Sequence, residues 1–204
     1  MIQTWIANVS SLMDENIYQQ FYDRVPEFRK EKADKLRFQE DKALSVGAWI
    51  LLEKMRETFK LTEENVYNLS HSGNYVLCSV EDGTGSAKKV GCDLEMIKNS
   101  HDNVAKRFYC EKEYEMVLAN EMDFYRLWVL KESFMKATRL GMKLDTRSFE
   151  FEFDQEDKPK LKTKPNEIDG EFYFKEYETE NIPYRIAVCA DADEFAEKLK
   201  MVNL

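Results

Sequence analysis

Lys89-Val90-Gly91-Cys92-Asp93-Leu94-Glu95 alternates as a half-buried strand does, with Cys92 and Leu94 on one face and Asp93 and Glu95 on the other. Upstream, Tyr75-Val76-Leu77-Cys78-Ser79-Val80 also reads as a strand. Asp82-Gly83-Thr84-Gly85 between them reads as a glycine-containing turn that joins the two. Downstream, Trp128-Val129-Leu130-Lys131-Glu132-Ser133-Phe134-Met135-Lys136 has helical spacing and carries charges inside an aromatic and apolar run. Two carboxylates projecting together from a strand repel unless something positive lies between them. A divalent cation held by oxygen ligands is the simplest remedy. Hydrated carboxylates at a strand end explain Asp-x-Glu better when it stands by itself. An i,i+4 ion pair worth about 0.3–0.5 kcal/mol does the same for Glu132 and Lys136.

Working outward, residues 2 to 9 read as a first strand and residues 11 to 24 as a short polar helix ending near Pro26. Leu44, Ala48, Leu51, Met55 and Phe59 recur every three or four residues, which predicts one helix from about Lys32 to Phe59. Arg29, Lys30, Lys32, Lys35, Arg37 and Lys42 crowd this region into a cationic stretch, or a solvated helix face. Asn68-Leu69-Ser70-His71-Ser72-Gly73 precedes a strand and offers hydroxyls, an imidazole and a flexible backbone that suit a phosphate, and a capped turn accounts for it equally well. A hydrolase triad finds no support, since Gly-x-Ser-x-Gly is absent.

After Asn99, helices are expected at Val104–Phe108 and Tyr114–Leu118, then a longer one from Asp123 to Leu140 stopped by Gly141. Its buried stripe is Phe124, Leu127, Trp128, Phe134 and Met135, with Tyr125, Val129, Glu132, Lys136 and Arg139 on another face. Strands at Ser148–Phe153, Phe172–Tyr177 and Tyr184–Ala190 follow, and a short helix closes the chain. Tyr75–Val80 and Tyr184–Ala190 are faintly alike, too short a match to make a repeat. The order predicts an α+β fold in two halves, residues 1–98 and 99–204, meeting around residues 96 to 102.

The 204 residues, 43% of them hydrophobic, suffice for a packed core. A formal net charge of -9 argues against general nucleic-acid binding. No apolar run approaches the roughly 20 residues a membrane span needs, and Met1-Ile2-Gln3-Thr4-Trp5 does not open like a signal peptide, so the expected location is the cytoplasm. Cys78, Cys92, Cys110 and Cys189 are too scattered for a zinc site or a disulfide framework.

Taken in order, Ser70-His71-Ser72, then Gly91-x-Asp93-x-Glu95, then Trp128-x-x-Lys131-Glu132-Ser133-x-x-Lys136 resembles the signature of the Sfp-type 4′-phosphopantetheinyl transferases. The resemblance covers roughly residues 24 to 153, including Lys106-Arg107-Phe108-Tyr109 and Glu111-Lys112-Glu113-Tyr114. It implies a pseudo-dimer of two similar α+β halves with the active site in the cleft between them. It implies Mg²⁺-dependent transfer of the phosphopantetheine arm of coenzyme A to a serine of an apo acyl or peptidyl carrier protein, releasing adenosine 3′,5′-bisphosphate. Carried over, Asp93, Glu95 and Glu132 would bind Mg²⁺, and Lys136 would hold the transferring phosphate. Glu132, or Glu113 through a water, would take the serine proton. Ser70, His71, Lys131 and, more loosely aligned, Lys35, Lys42 and Ser45 would contact coenzyme A. The resemblance also implies a monomer.

Two features depart from the family. The stretch Lys60-Leu61-Thr62-Glu63-Glu64-Asn65-Val66-Tyr67 lacks the Gly-Lys-Pro of many relatives, and Gly141-Met142-Lys143 stands where a Gly-x-Gly is common. Other Mg²⁺-dependent phosphate chemistry on the same carboxylates (a nuclease or nucleotide hydrolase) and a non-catalytic carrier-binding module are the competing functions.

Overall fold

A computed structural model describes residues 1–98, 102–119, 123–179 and 181–204. The first half runs β1 (Ile2–Asn8), α1 (Glu15–Tyr22), α2 (Glu27–Asp34), α3 (Gln39–Phe59), β2 (Tyr67–Ser72) and β3 (Tyr75–Glu81). It closes with β4 (Val90–Met96), and the second half runs α4 (Asp102–Phe108), α5 (Glu111–Leu118), α6 (Phe124–Ala137), β5 (Glu150–Phe153), β6 (Pro159–Thr163), β7 (Tyr173–Glu176), β8 (Tyr184–Ala190) and β9 (Lys200–Val202). The α+β class is as expected.

Three sheets form: β2-β3-β1-β9, β4-β8-β7 and the hairpin β5-β6. In the first, β3 lies antiparallel between β1 and β2. In the second, β8 lies antiparallel between β4 and β7. Setting aside the edge strand β9, each larger sheet is entered by one strand, left for three helices, and re-entered by two strands, the later of which lies between the other two. The expected junction between halves falls partly at residues 99–101, outside the described residues. Two strands cross over it in space: β4 pairs with β8, and β9 runs parallel to β1.

Strand alternation sorts the side chains into layers. Trp5, Ala7, Val76, Cys78 and Val80 pack against α3, while Ile2, Ile6 and Leu77 turn to the opposite face and meet Cys92, Leu94, Ile186 and Val188. Ala187 and Cys189, on the far side of β8, pack with Leu127, Leu130 and Phe134 of α6. The order is therefore α3, first sheet, second sheet, α6. A fully buried side chain such as Phe134 contributes about 1.5–3 kcal/mol by leaving water.

Several sequence-based expectations need correction. The single helix from Lys32 to Phe59 is two helices. Extended backbone at Phe38 (φ -99, ψ 142) breaks it, and α2, starting directly after Pro26, folds back on α3. Asn68–Ser72 is strand β2, not a turn, because its alternate residues reach a neighbouring strand. Tyr75–Glu81 and Val90–Met96 are strands but not a hairpin: each is paired by other strands in a different sheet. Helix α6 ends at Ala137, earlier than Leu140, with Arg139 (φ 59) and Gly141 (φ 53) both left-handed. Its burial is not one stripe either, since Tyr125, Val129 and Ser133 are as enclosed as Leu127 and Phe134. The expected C-terminal helix is replaced by β9, drawn into register with β1, and β6 was not anticipated.

Gly91 sets how closely α6 can approach β4. A Cβ there would lie 2.1 Å from the Ser133 carbonyl oxygen and 2.3 Å from the Ala137 nitrogen, both backbone atoms. Glycine inside a strand marks such a close approach, and Ser133 and Ala137 are correspondingly small. Gly91→Ala is therefore expected to push α6 outward at a cost of about 1–3 kcal/mol or more. Thermal unfolding checks this, and a variant melting with wild type would contradict it.

Candidate active site

Residues 68, 70 and 72 of β2 share a face, and that face is polar. Although β2 and β4 belong to different sheets, side chains stitch them together. Asn68 Oδ1 accepts from the Cys92 amide (3.0 Å), Ser70 Oγ donates to Asp93 Oδ1 (2.8 Å), and Ser72 Oγ donates to Glu95 Oε2 (2.7 Å). The Ser-x-Ser spacing of β2 thus matches the Asp-x-Glu spacing of β4, with His71 turned to the other face.

Helix α6, lying against Gly91, brings Glu132 and Lys136 to the same place. Lys136 Nζ donates to Asp93 Oδ1 (2.6 Å) and Ser70 Oγ (2.8 Å), tying α6, β2 and β4 at one point. Leu69, Ser70, His71, Asp93, Glu95, Trp128, Glu132 and Lys136 line an open cleft of about 380 Å³. Of the residues expected from sequence, Ser70, His71, Asp93, Glu95, Glu132 and Lys136 therefore meet.

The others do not line it. Lys131 Nζ is 2.8 Å from Glu113 Oε2 and donates to the carbonyls of Thr146 (2.9 Å) and Phe149 (2.8 Å). Both side chains are almost completely buried, and Glu113 also accepts from the amides of Phe151 and Cys110. One residue of helix rotation from Glu132 aims Lys131 into the second half's interior rather than the cleft. Breaking such a buried pair costs about 3–5 kcal/mol, so its place is in the fold. Lys35 is exposed at the end of α2, Lys42 is half-buried in the first turns of α3, and Ser45 is buried further along α3. Sequence reasoning did not single out Lys32, whose charge acts on His71, or Asn68 and Ser72; the polar alternation at 68, 70 and 72 was the available signal.

The cleft's electrostatics are dominated by desolvated carboxylates. Burial raises Asp93 above the ordinary carboxyl value, against the opposing pull of Lys136 and Ser70. Burial also raises Glu95, with Ser72 opposing it and the Asp93 charge adding to it. Glu132 is raised by burial and then by Asp93 and Glu95. Burial lowers Lys136, but the Asp93 charge outweighs this and leaves it raised, so the ammonium stays protonated. His71 is lowered by partial desolvation and by Lys136 and Lys32, which favours the neutral imidazole.

Asp93 Oδ2 is buried without a hydrogen-bond partner. Such an oxygen costs about 1–3 kcal/mol unless something satisfies it. Among the described residues no three His, Cys, Asp or Glu groups stand close enough to form a ready metal cluster. Lys136 takes the position beside Asp93. The oxygen-only donor set with an orphaned carboxylate oxygen nonetheless fits a hard divalent cation.

The raised values fix the sign of a pH effect. A carboxyl raised above its unfolded value, about 4.3 for Glu, contributes stability that is complete below that value and lost as pH rises through the folded one. Metal-free Glu132→Gln is therefore expected to melt above metal-free wild type near neutral pH, with the gap closing toward about pH 4. A gap that does not change with pH, measured by thermal unfolding, would contradict the charge repulsion described.

Comparisons with known proteins agree with this geometry. Residues 89–189, which contain Gly91, Asp93, Glu95, Glu132 and Lys136, match the model of the 4′-phosphopantetheinyl transferase superfamily. Over 142 residues the chain is 33% identical to the 4′-phosphopantetheinyl transferase Sfp of Bacillus subtilis (strain 168), an alignment covering 67% of this chain and 60% of that protein. A further 4′-phosphopantetheinyl transferase of Bacillus subtilis is 30% identical over 142 residues, 66% of this chain and 59% of the relative. The 4′-phosphopantetheinyl transferase HetI of Nostoc sp. (strain PCC 7120) is 38% identical over 84 residues, 38% of this chain and 34% of its own length. The chain thus spans about three-fifths of the length of the first two. With the cleft and its motifs inside the matched region, the chain belongs to the 4′-phosphopantetheinyl transferase superfamily.

Proposed function

We propose that this chain transfers the 4′-phosphopantetheine arm of coenzyme A to a serine hydroxyl of an apo acyl or peptidyl carrier protein. The observation that carries this is the convergence of Ser70, Asp93, Glu95, Glu132 and Lys136 from β2, β4 and α6 on one cleft. In the reaction the serine oxygen bonds to the phosphorus that bears the pantetheine, and the phosphorus bond to the bridging oxygen breaks. Adenosine 3′,5′-bisphosphate leaves, and the serine proton passes to a base.

Negative charge grows on the leaving oxygen, so stabilising it is the main demand. Asp93, Glu95 and Glu132 would hold Mg²⁺, which when bound supplies positive charge to the pyrophosphate oxygens. Lys136, protonated and already within the cleft, would leave Asp93 for the transferring phosphate. Ser70 and His71, reaching the cleft from opposite faces of β2, are donors for phosphate oxygens. Glu132, raised above its ordinary value, is suited to accept the serine proton near neutral pH. Glu113, enclosed by Lys131 and two backbone amides, is poorly placed for that task.

The two sheets' matching connectivity supports a pseudo-dimer of two α+β halves, 1–98 and 99–204. Since β2, β4 and α6 of one chain build the cleft, a monomer would be competent in the cytoplasm. The test is incubation with coenzyme A, Mg²⁺ and a panel of apo carrier proteins, read by intact mass. The expected result is a gain of one phosphopantetheine arm on at least one carrier, slowed about 10²–10⁴-fold in Glu132→Gln. No gain on any carrier, or full activity in the variant, would overturn the proposal.

A further inference from the structure

Ser72 has no task in the transfer step, yet its hydroxyl is fixed on both sides. Its oxygen accepts from the Met96 amide (3.2 Å), so its single proton is directed to Glu95 Oε2 (2.7 Å). Ser70 repeats the arrangement two residues earlier. It accepts from Lys136 Nζ (2.8 Å) and donates to Asp93 Oδ1 (2.8 Å). One oxygen of each acid is thereby held by β2. The other oxygens, Asp93 Oδ2 and Glu95 Oε1, are not held by these serines, and both acids line the cleft.

The turn that follows Ser72 keeps the hydroxyl in place. Gly73 has φ 54, and a Cβ there would lie 2.3 Å from the Tyr184 hydroxyl oxygen. That hydroxyl accepts from the Asn74 amide (3.3 Å), and the Tyr184 ring meets that of Tyr75 edge to face at 5.1 Å. Tyr184 lies opposite Met96 in the ladder of β4 with β8, so the turn and the amide that fixes Ser72 share one support. Arg185, opposite Glu95 in the same ladder, turns its guanidinium to Asp123 (2.7 Å) instead. Among the described residues, the hydrogen bond to the Glu95 side chain comes from Ser72.

A carboxylate with one oxygen committed to a serine can offer a cation only the other. Ca²⁺ takes a large, adaptable shell and often both oxygens of one carboxylate, whereas Mg²⁺ demands a small, near-ideal octahedron. We propose that Ser72 is a positioning residue that holds Glu95 to ligation through one oxygen, and so makes the cleft prefer Mg²⁺ to Ca²⁺. This rests on the assignment above of Asp93, Glu95 and Glu132 as the residues that would hold the ion. It extends that assignment to the side chain that sets the preference, as partners of metal-binding carboxylates commonly do.

Calorimetric titration with magnesium chloride and, separately, calcium chloride, with coenzyme A present and carrier omitted, tests this in wild type, Ser72→Ala and Ser72→Thr. Ser72→Ala is expected to bind Mg²⁺ about 10–100-fold more weakly, with Ca²⁺ affinity unchanged or higher. Ser72→Thr, which keeps the hydroxyl, is expected to retain the wild-type preference. Equal weakening for both ions in Ser72→Ala, as a merely structural role would give, or no weakening, would overturn the proposal. Threonine behaving as alanine would overturn it too. A protein that shows the shift in preference yet loads no carrier would overturn the transfer reaction and leave the role of Ser72. Loading of a carrier with the preference unmoved in Ser72→Ala would do the reverse, and no ion bound by wild type would overturn both.

Discussion

The contact of Gly91 with the backbone of α6 is the constraint from which the site follows. Without a side chain at that position, the helix lies directly on β4 at Ser133 and Ala137. Glu132 and Lys136, each one residue before a contact residue and one turn apart, are thereby carried over the carboxylates two and four residues beyond the glycine. Any larger residue would lift the helix and separate the groups. The glycine, the two acids and the helix charges thus form one geometric unit, although Gly91 and its contact Ser133 are far apart in sequence.

That unit is assembled against its own electrostatics. Burial raises all three carboxyls, the Asp93 charge further disfavours ionised Glu95 and Glu132, and the Glu95 charge disfavours ionised Glu132. Lys136 and the serines of β2 offset part of this, yet Asp93 Oδ2 stays unsatisfied. The buried pair of Lys131 and Glu113 is different, because it lies within a closed set of backbone partners. The contrast separates a buried ion pair that holds the fold from a cluster left incomplete at an open cleft, where a ligand would complete it.

Much of this was legible in the sequence, because strand alternation at 91–95 and helical spacing at 128–136 are local signals. The class of fold, the pairing of Asp93 with Glu95 and the closeness of Glu132 to Lys136 followed from them. Sheet partners were not legible. Tyr75–Val80 and Val90–Glu95 read as a hairpin because a glycine turn joins them, but each is claimed by strands far away in sequence. Tyr75–Val80 and Tyr184–Ala190, faintly alike in sequence, both fall in central strands, β3 and β8. The direction of Lys131 was not legible either: its neighbour Glu132 faces the cleft, while Lys131 points to the wall formed by Thr146 and Phe149.

The most direct measurement is crystallographic. With Mn²⁺ in place of Mg²⁺ and coenzyme A bound, anomalous diffraction locates the ion. The account expects a peak bonded to Asp93 Oδ2, with Glu95 and Glu132 as its other carboxylate neighbours and Lys136 Nζ moved from Asp93 to a phosphate oxygen. An ion bound away from these carboxylates, or Lys136 still on Asp93 with the coenzyme in the cleft, would contradict it.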